Sequence, residues 1–116
     1  MKRIYSCEFH AAHHIENHPR CGKTHGHSYQ LRVEIEVVKP EDLWIDFHDI
    51  ADVVDKTVAI YDHTDMGHMT AETLAENLRK EIATEMFAKL AMTVTCSWPI
   101  VTVELWETSE FGVRTT

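Results

Sequence analysis

The strongest constraint on the fold is an alternating pattern in residues 28–38, where apolar and polar residues take turns. In an extended chain, successive side chains point to opposite faces, so this alternation predicts a half-buried β-strand. The predicted buried face comprises Tyr29, Leu31, Val33, Ile35 and Val37. The predicted exposed face comprises Ser28, Gln30, Arg32, Glu34 and Glu36.

Two further segments have the spacing of amphipathic helices. Asp46 is the predicted N-cap of the first helix, whose apolar residues follow helical spacing as far as Tyr61. A predicted turn at residues 65–67 leads to the second helix, which Thr70 caps. The apolar stripe of the second helix comprises Leu74, Leu78, Ile82, Met86 and Leu90.

The order of the elements predicts the fold class. Short β-prone segments occur at residues 4–9, 101–105 and 111–114, in addition to the long strand. Strand, strand, helix, helix, strand, strand is an α+β order, with a four-stranded antiparallel sheet and two helices on one face. A length of 116 residues suits a single domain, residues 1–116. Exposed sheet edges favour pairing between subunits.

Composition narrows the choice of partners and compartment. The formal net charge of −8 argues against binding to nucleic acid or to anionic membranes. No stretch is apolar enough to cross a membrane and the N-terminus lacks the core of a secretory signal, so we expect a cytoplasmic protein. The sparse cysteines Cys7, Cys21 and Cys96 favour free thiols over a disulfide framework.

Histidine is concentrated near the N-terminus, where six of the nine histidines lie between positions 10 and 27. His25 and His27 are two residues apart, so in an extended chain both side chains project to the same side and can bind one metal ion. A third ligand could come from His13 or His14. Three neutral imidazoles suit zinc and leave the open fourth position of a catalytic site.

Cys21 has two alternative roles beside this histidine pair. As a fourth ligand it would close a structural zinc site, which the Cys-x-x-x-His-x-His spacing leaves open. Alternatively, the neighbouring Arg20 and Lys23 favour its thiolate form, which suits a general base or nucleophile. The same two cations could attract phosphate oxygens, or could simply be solvated charges.

Two more groups lie at the ends of predicted elements. Asp62 and His63 follow the first helix, where a carboxylate can orient an imidazole for proton transfer, although polar residues are common at helix ends. Glu107 is two residues after Leu105 and four after Val103, so in a continuing strand its carboxylate would point to the same apolar face as these two side chains. A ligand with two parallel N–H donors would satisfy the Glu107 carboxylate in that position. If the strand instead ends before residue 107, the carboxylate is solvated.

Taken in order, these segments resemble the tetrahydropterin synthase family, which includes the 6-pyruvoyltetrahydropterin and 6-carboxytetrahydropterin synthases. The similar segments are residues 9–13 (FHAAH), 21–29 (CGKTHGHSY), 45–47 (IDF), 62–63 (DH), 70–75 (TAETLA) and 107–108 (ET). The Cys-x-x-x-His-Gly-His block is the most specific of them. The chain departs from the family pattern at Tyr61, where leucine is usual, and at Met69, where proline is usual.

The resemblance implies roles for individual residues. The implied zinc ligands are His13, His25 and His27, with His13 preferred to His14. The implied catalytic residues are Cys21, Asp62 and His63. The implied substrate-binding residues are Glu107, which anchors the pterin ring, and Arg20, Lys23 and Thr70.

The resemblance also implies an assembly and a reaction. Family members have the tunnelling fold (T-fold) and are typically homohexamers of two stacked trimers, with active sites between subunits. Asp62, His63 or Glu107 could therefore serve a site whose zinc belongs to a neighbouring chain. The implied reaction converts 7,8-dihydroneopterin triphosphate to 6-carboxy-5,6,7,8-tetrahydropterin, acetaldehyde and triphosphate, for queuosine and 7-deazapurine biosynthesis. The alternatives are a 6-pyruvoyl product without acetaldehyde, and a zinc-binding module without catalysis.

Overall fold

The computed structural model describes residues 1–36, 46–91 and 99–116, which form five β-strands and two α-helices. The strands are β1 (Lys2–His14), β2 (His25–Glu36), β3 (Thr64–His68), β4 (Val101–Trp106) and β5 (Gly112–Arg114), and the helices are α1 (Phe47–Val58) and α2 (Ala71–Ala91). The predicted α+β class with two helices is confirmed. The predicted strand end at residues 37–38, the side chain of Leu90, and Cys96 lie outside the described residues.

The strands form one mixed sheet in the order β3-β1-β2-β4-β5. The neighbours β1–β2, β2–β4 and β4–β5 are antiparallel, whereas β3 runs parallel to β1. The predicted four-stranded antiparallel sheet is therefore wrong, because residues 64–68 form an edge strand where a turn was expected. These five residues have no apolar alternation, and pairing satisfies the backbone groups of β1 that would otherwise lie at an open edge.

The core lies between one face of this sheet and the two helices, and the alternation predicted for β2 is confirmed. The buried sheet residues are Phe9, Ala11, Tyr29, Leu31, Val33, Ile35, Val101, Val103 and Leu105. The large buried helix residues are Ile50, Val53, Val54, Val58, Leu74, Leu78, Ile82 and Met86. Because successive residues of a strand alternate between faces, any polar residue in register with these positions points into the same core.

Both predicted N-caps are confirmed. The Asp46 carboxylate accepts a hydrogen bond from the backbone N–H of His48 at 2.9 Å. The Thr70 hydroxyl accepts one from the backbone N–H of Thr73 at 3.1 Å. Each contact satisfies an N–H group that the first helical turn leaves without a backbone partner. In the part of the chain that the structure describes, neither helix is both long and apolar enough to span a membrane.

Candidate metal centre and proton-transfer pair

The pairing of β1 with β2 brings three histidines together at one end of the core. His13 is directly opposite His25, and Ala11 is opposite His27, so all three imidazoles lie on the helix-facing side. The ligand nitrogens of His13, His25 and His27 all lie within 4.8 Å of one another. His14 lies on the other face, where its ring centroid is 6.2 Å from that of His68. The geometry therefore favours His13 over His14 as the third member of the group.

Backbone carbonyl groups orient two of these imidazoles. Nδ1 of His13 lies 2.7 Å from the carbonyl oxygen of Met69, and Nδ1 of His25 lies 2.7 Å from that of Lys23. A carbonyl oxygen can only accept, so each Nδ1 donates its proton and the neutral ring keeps its lone pair on Nε2. Support of this kind is usual for histidines that bind metals.

The histidine group is buried and has unused lone pairs. His13 is 1% exposed, and the Nε2 atoms of His13 and His27 have no hydrogen-bond partner within residues 1–36, 46–91 and 99–116. Burial lowers the pKa of His27 below its ordinary value, although the nearby Glu107 carboxylate opposes this shift. Neutral imidazoles with free nitrogens are the donors that zinc prefers. The residues present therefore fit a zinc ion.

Glu107 lies against the same group. Its Oε1 is 3.8 Å from His13 Nε2 and its Oε2 is 3.9 Å from His27 Nε2. The carboxylate thus faces the core side of the sheet, as its parity predicts. Burial, with a smaller effect from the Glu107 charge, raises the pKa of the Tyr29 phenol well above its usual value. Tyr29 therefore remains a neutral, fully buried neighbour of the site.

Asp62 and His63 form the predicted pair, but on the side of β1 that faces away from the helices. Oδ2 of Asp62 lies 3.0 Å from Nδ1 of His63. Oδ1 of Asp62 accepts a hydrogen bond from the backbone N–H of His10 at 2.9 Å, and this contact is the main reason that the pKa of Asp62 is lowered. His63 has a left-handed backbone (φ 59°), and its N–H donates to the His10 carbonyl at 2.6 Å.

A surface cavity of about 510 Å³ adjoins this pair. Its lining includes His10, Ser28 and His63, and also His27 of the three-histidine group. The His63 side chain is 77% exposed, whereas His13 of the three-histidine group is 1% exposed on the helix-facing side. Within one chain, the Asp62–His63 pair and the three-histidine group therefore lie on different faces of the sheet.

Cys21 lies half-buried in the loop between β1 and β2 as a free thiol. Its backbone N–H donates to Nδ1 of His18 at 2.9 Å, and its carbonyl accepts from the N–H of Ile15 at 2.7 Å. The adjacent Gly22 is required by this tight loop, because a Cβ there would lie 2.6 Å from the His18 carbonyl oxygen. Among the described residues, the group of possible metal ligands contains no cysteine, so the geometry does not favour a closed Cys-His₃ site.

The remaining predicted substrate contacts have different environments. Arg20 and Lys23 are exposed in the Cys21 loop. The Thr70 hydroxyl accepts from the Thr73 backbone and donates to the Thr73 hydroxyl at 3.0 Å, so its visible contacts cap α2.

Sequence reasoning missed two residues that support the site. Met69 acts through its carbonyl oxygen, and a backbone contact leaves no signature in residue type. His10 contacts the Asp62–His63 turn through its backbone and places its ring centroid 5.9 Å from that of His63. The FHAAH segment could have predicted this placement. His10 and His13 are three residues apart, so in a strand their side chains point to opposite faces.

Comparison with known proteins agrees with this geometry. The family model described as 6-pyruvoyl tetrahydropterin synthase matches residues 4–116. The chain belongs to this family. Enzymes of the 6-pyruvoyl tetrahydropterin synthase family are pterin synthases, which are lyases.

Two curated relatives carry different functional names within the same pterin chemistry. A protein of Archaeoglobus fulgidus, provisionally named 6-carboxy-5,6,7,8-tetrahydropterin synthase, is 38% identical over 85 residues, which cover 72% of this chain and 74% of that protein. A dihydroneopterin monophosphate aldolase of Pyrococcus furiosus is 29% identical over 111 residues, which cover 96% of this chain and 93% of that protein.

Solved structures show the same fold. The 6-pyruvoyl tetrahydropterin synthase of Caenorhabditis elegans has a TM-score of 0.78 at 16% identity, covering 99% of this chain and 94% of that chain. The enzyme of Plasmodium vivax has a TM-score of 0.73 at 13% identity, covering 99% and 97%. The chain therefore has the tunnelling fold of these proteins.

Proposed function

We propose that residues 1–116 form one catalytic domain, a zinc-dependent 6-carboxy-5,6,7,8-tetrahydropterin synthase. The substrate would be 7,8-dihydroneopterin triphosphate, and the products 6-carboxytetrahydropterin, acetaldehyde and triphosphate. Family membership and the name of the Archaeoglobus fulgidus relative support this reaction. The observation that carries the proposal is the group of three inward-facing imidazoles with the Glu107 carboxylate beside it. We place this activity in the cytoplasm, in queuosine and 7-deazapurine formation.

The metal would be held by His13, His25 and His27. Zinc would supply Lewis acidity toward the hydroxyl-bearing side chain of the substrate. The two carbonyl contacts fix the rings of His13 and His25, so their Nε2 atoms are already oriented before a metal arrives. Burial lowers the pKa of His27, which favours the neutral ring that a metal ligand needs.

Glu107 would anchor the pterin ring. The 2-amino and N3–H groups of a pterin form an edge with two parallel donors, which the two oxygens of a carboxylate can accept together. Because Glu107 lies next to His13 and His27, a ring anchored there would direct its side chain toward the metal. The exposed Arg20 and Lys23 would attract the triphosphate, which is the most highly charged part of the substrate.

Cys21, Asp62 and His63 would transfer protons. The Asp62 carboxylate holds Nδ1 of His63, so Nε2 of that ring is left to exchange a proton with Cys21 or with the substrate. Since this pair lies on the other face of the sheet from its own three histidines, we propose that it serves the site of a neighbouring subunit. That arrangement requires an oligomer, and a hexamer of two trimers would provide it.

A second candidate reaction is cleavage of dihydroneopterin monophosphate. It is favoured by the Pyrococcus furiosus aldolase, because that similarity covers 96% of this chain. Both reactions break a carbon–carbon bond in the pterin side chain, so the same metal group and proton-transfer residues could serve either. The 6-pyruvoyl product is a third outcome, in which triphosphate leaves without carbon–carbon cleavage.

Turnover by the zinc-loaded protein distinguishes these reactions. The protein would be incubated separately with 7,8-dihydroneopterin triphosphate and with the monophosphate, and products identified by mass spectrometry with an aldehyde assay. Acetaldehyde with 6-carboxytetrahydropterin supports the proposal. Triphosphate release without acetaldehyde indicates the 6-pyruvoyl reaction, and a phosphorylated aldehyde formed from the monophosphate indicates the aldolase. No turnover of either compound by zinc-bound protein would refute the catalytic proposal and favour a zinc-binding module.

A further inference from the structure

The imidazole of His18 contacts the backbone of the loop that carries Cys21. Its Nδ1 accepts hydrogen bonds from the backbone N–H groups of Arg20 at 3.1 Å and of Cys21 at 2.9 Å. Because both partners are donors, Nδ1 must present a lone pair to them. The His18 side chain therefore binds two successive N–H groups, one of which belongs to the residue whose thiol we assign to proton transfer.

The sequence around His18 favours this arrangement. Pro19 has no backbone N–H, so Arg20 and Cys21 provide the first two donors after His18. Asn17 has a left-handed backbone (φ 61°), a conformation typical of turns, immediately before His18. The imidazole thus closes a turn on the backbone that follows it.

Both backbone groups of Cys21 are hydrogen-bonded, but in different ways. Its carbonyl accepts from the N–H of Ile15 at 2.7 Å, and its N–H donates to the His18 ring at 2.9 Å. The first contact joins two backbone groups, which every residue has, whereas the second requires a side chain with an acceptor. Replacement of His18 therefore removes one of the two contacts that fix Cys21 without changing Cys21 itself.

The same loop leads into the proposed metal ligand His25. The carbonyl oxygen of Lys23, two residues after Cys21, lies 2.7 Å from Nδ1 of His25. A fixed loop therefore holds the thiol at a constant position relative to the three-histidine group. Such positioning matters for catalysis, because a displacement of about 1 Å in a reacting group can cost about 100-fold in rate.

We propose that His18 is a positioning residue for Cys21, whose loop it holds through the two N–H contacts so that the thiol lies where it can exchange a proton. The catalytic part of this proposal rests on the proposed function. His18 transfers no proton through Nδ1 in this role, because the loop backbone occupies the lone pair of that atom. Loss of the acceptor should loosen the loop, expose the half-buried thiol and lower turnover without removing a reacting group.

Alkylation of Cys21 by iodoacetamide measures how firmly the loop holds the thiol. The rate would be followed by peptide mass spectrometry on the zinc-loaded wild type, His18→Ala and His18→Asn. The asparagine side-chain oxygen occupies the δ position of the histidine nitrogen and can accept the same N–H groups. We expect His18→Ala to react about 5-fold faster or more, since two hydrogen bonds are lost, and His18→Asn to react like the wild type.

Two controls separate this effect from general changes in the protein. Cys7 is half-buried on β1, where burial raises the pKa of its thiol to about 11, so it should react slowly and equally in every variant. His14→Ala removes an imidazole that lies beside His68 and should leave the Cys21 rate unchanged. Circular dichroism would confirm folding, and metal analysis would allow comparison at equal zinc content.

Three results would overturn the proposal. An unchanged Cys21 rate in His18→Ala would show that the imidazole does not hold the loop. A slower rate would indicate that His18 instead activates the thiol as a base. Equal acceleration in His18→Ala and His18→Asn would attribute the effect to the bulk of the ring and not to its acceptor.

Turnover tests the catalytic part separately. With 7,8-dihydroneopterin triphosphate, His18→Ala should lower kcat about 10-fold with little change in KM, and His18→Asn should recover most of the loss. A His18→Ala enzyme with the wild-type kcat would overturn the catalytic part. An inactive wild type with the expected alkylation pattern supports the role of His18 in the loop and refutes the proposed function. An active wild type whose Cys21 rate is indifferent to His18 gives the reverse result.

Discussion

Nδ1 of His13 lies 2.7 Å from the carbonyl oxygen of Met69, so an imidazole on β1 is oriented by the residue that immediately follows β3. The neighbouring backbone strengthens this link, because the Met69 N–H donates to the His14 carbonyl at 3.2 Å. The buried His13 ring therefore presents Nε2 to His25 and His27, while the adjacent His14 lies on the other face of the sheet.

Substitution of His13 should separate the roles of these adjacent histidines. We expect His13→Ala to weaken zinc binding by about 100-fold or more, because one of three imidazole ligands is lost. His14→Ala is the matched control and should bind zinc like the wild type. Isothermal titration calorimetry and metal analysis would measure both. Equal losses in the two variants would contradict the assignment of His13.

Two inactive variants should restore activity when their subunits are mixed. Cys21→Ala and His63→Ala remove groups that we assign to one active site but to different chains. After joint unfolding and refolding, random assembly would leave about a quarter of the sites with both groups intact. Turnover by the mixed protein, compared with each variant refolded alone, measures this recovery. If the mixture stays as inactive as its components, the Asp62–His63 pair serves the site of its own chain.

Removal of the Tyr61 hydroxyl should destabilise the fold. This hydroxyl donates to Oε1 of Glu81 at 3.0 Å, while Oε2 is buried without a partner among the described residues. Tyr61→Phe leaves the Glu81 carboxylate without this donor, which we expect to cost about 1–3 kcal/mol in the free energy of unfolding. Urea unfolding would measure the loss. Adding Glu81→Met removes the unpaired carboxylate and should recover most of it; a double variant no more stable than Tyr61→Phe would argue against this cause.

The tyrosines should make the fold sensitive to alkaline pH. Burial is the largest cause that raises the pKa of Tyr5 and of Tyr61 to about 12, and it raises the pKa of Tyr29 further. An unfolded chain releases phenolic protons near pH 10, so the folded state binds them more tightly and its stability should fall as pH rises from about 10 toward 12. Ultraviolet absorbance would follow ionisation in native and urea-unfolded protein. Coincident titration curves would show that the folded environment has no such effect.

Residue patterns predicted the elements that bury one face. The alternation around Tyr29 and Leu31 located β2, and helical spacing from Leu74 to Met86 located α2, because each pattern records which side chains meet the core. The strand β3 was missed because its side chains do not meet the core in a regular pattern. It is a short edge strand whose residues are largely exposed or half-buried, and backbone pairing with β1 leaves no pattern in its side chains.

The side chains of the candidate site could be predicted from the sequence, but the backbone contacts that orient them could not. Spacing alone paired His25 with His27 but left His13 and His14 as alternatives. The parity of His13 with Phe9 and Ala11 resolves that choice once β1 is known to continue through His14. The sequence predicted that this strand ends at residue 9, so it did not predict that His13 shares a face with Phe9 and Ala11. The carbonyl of Met69 could not be predicted, since every residue carries the same group.

The short parallel strand β3 lies between two residues that position the two proposed functional groups. The turn before it presents His63 on one side of the sheet, and Met69 after it aligns His13 on the other. A distortion of residues 64–68 should therefore disturb both the proposed metal ligand His13 and the proposed proton-transfer residue His63. Substitutions along this edge should therefore affect both proposed groups together.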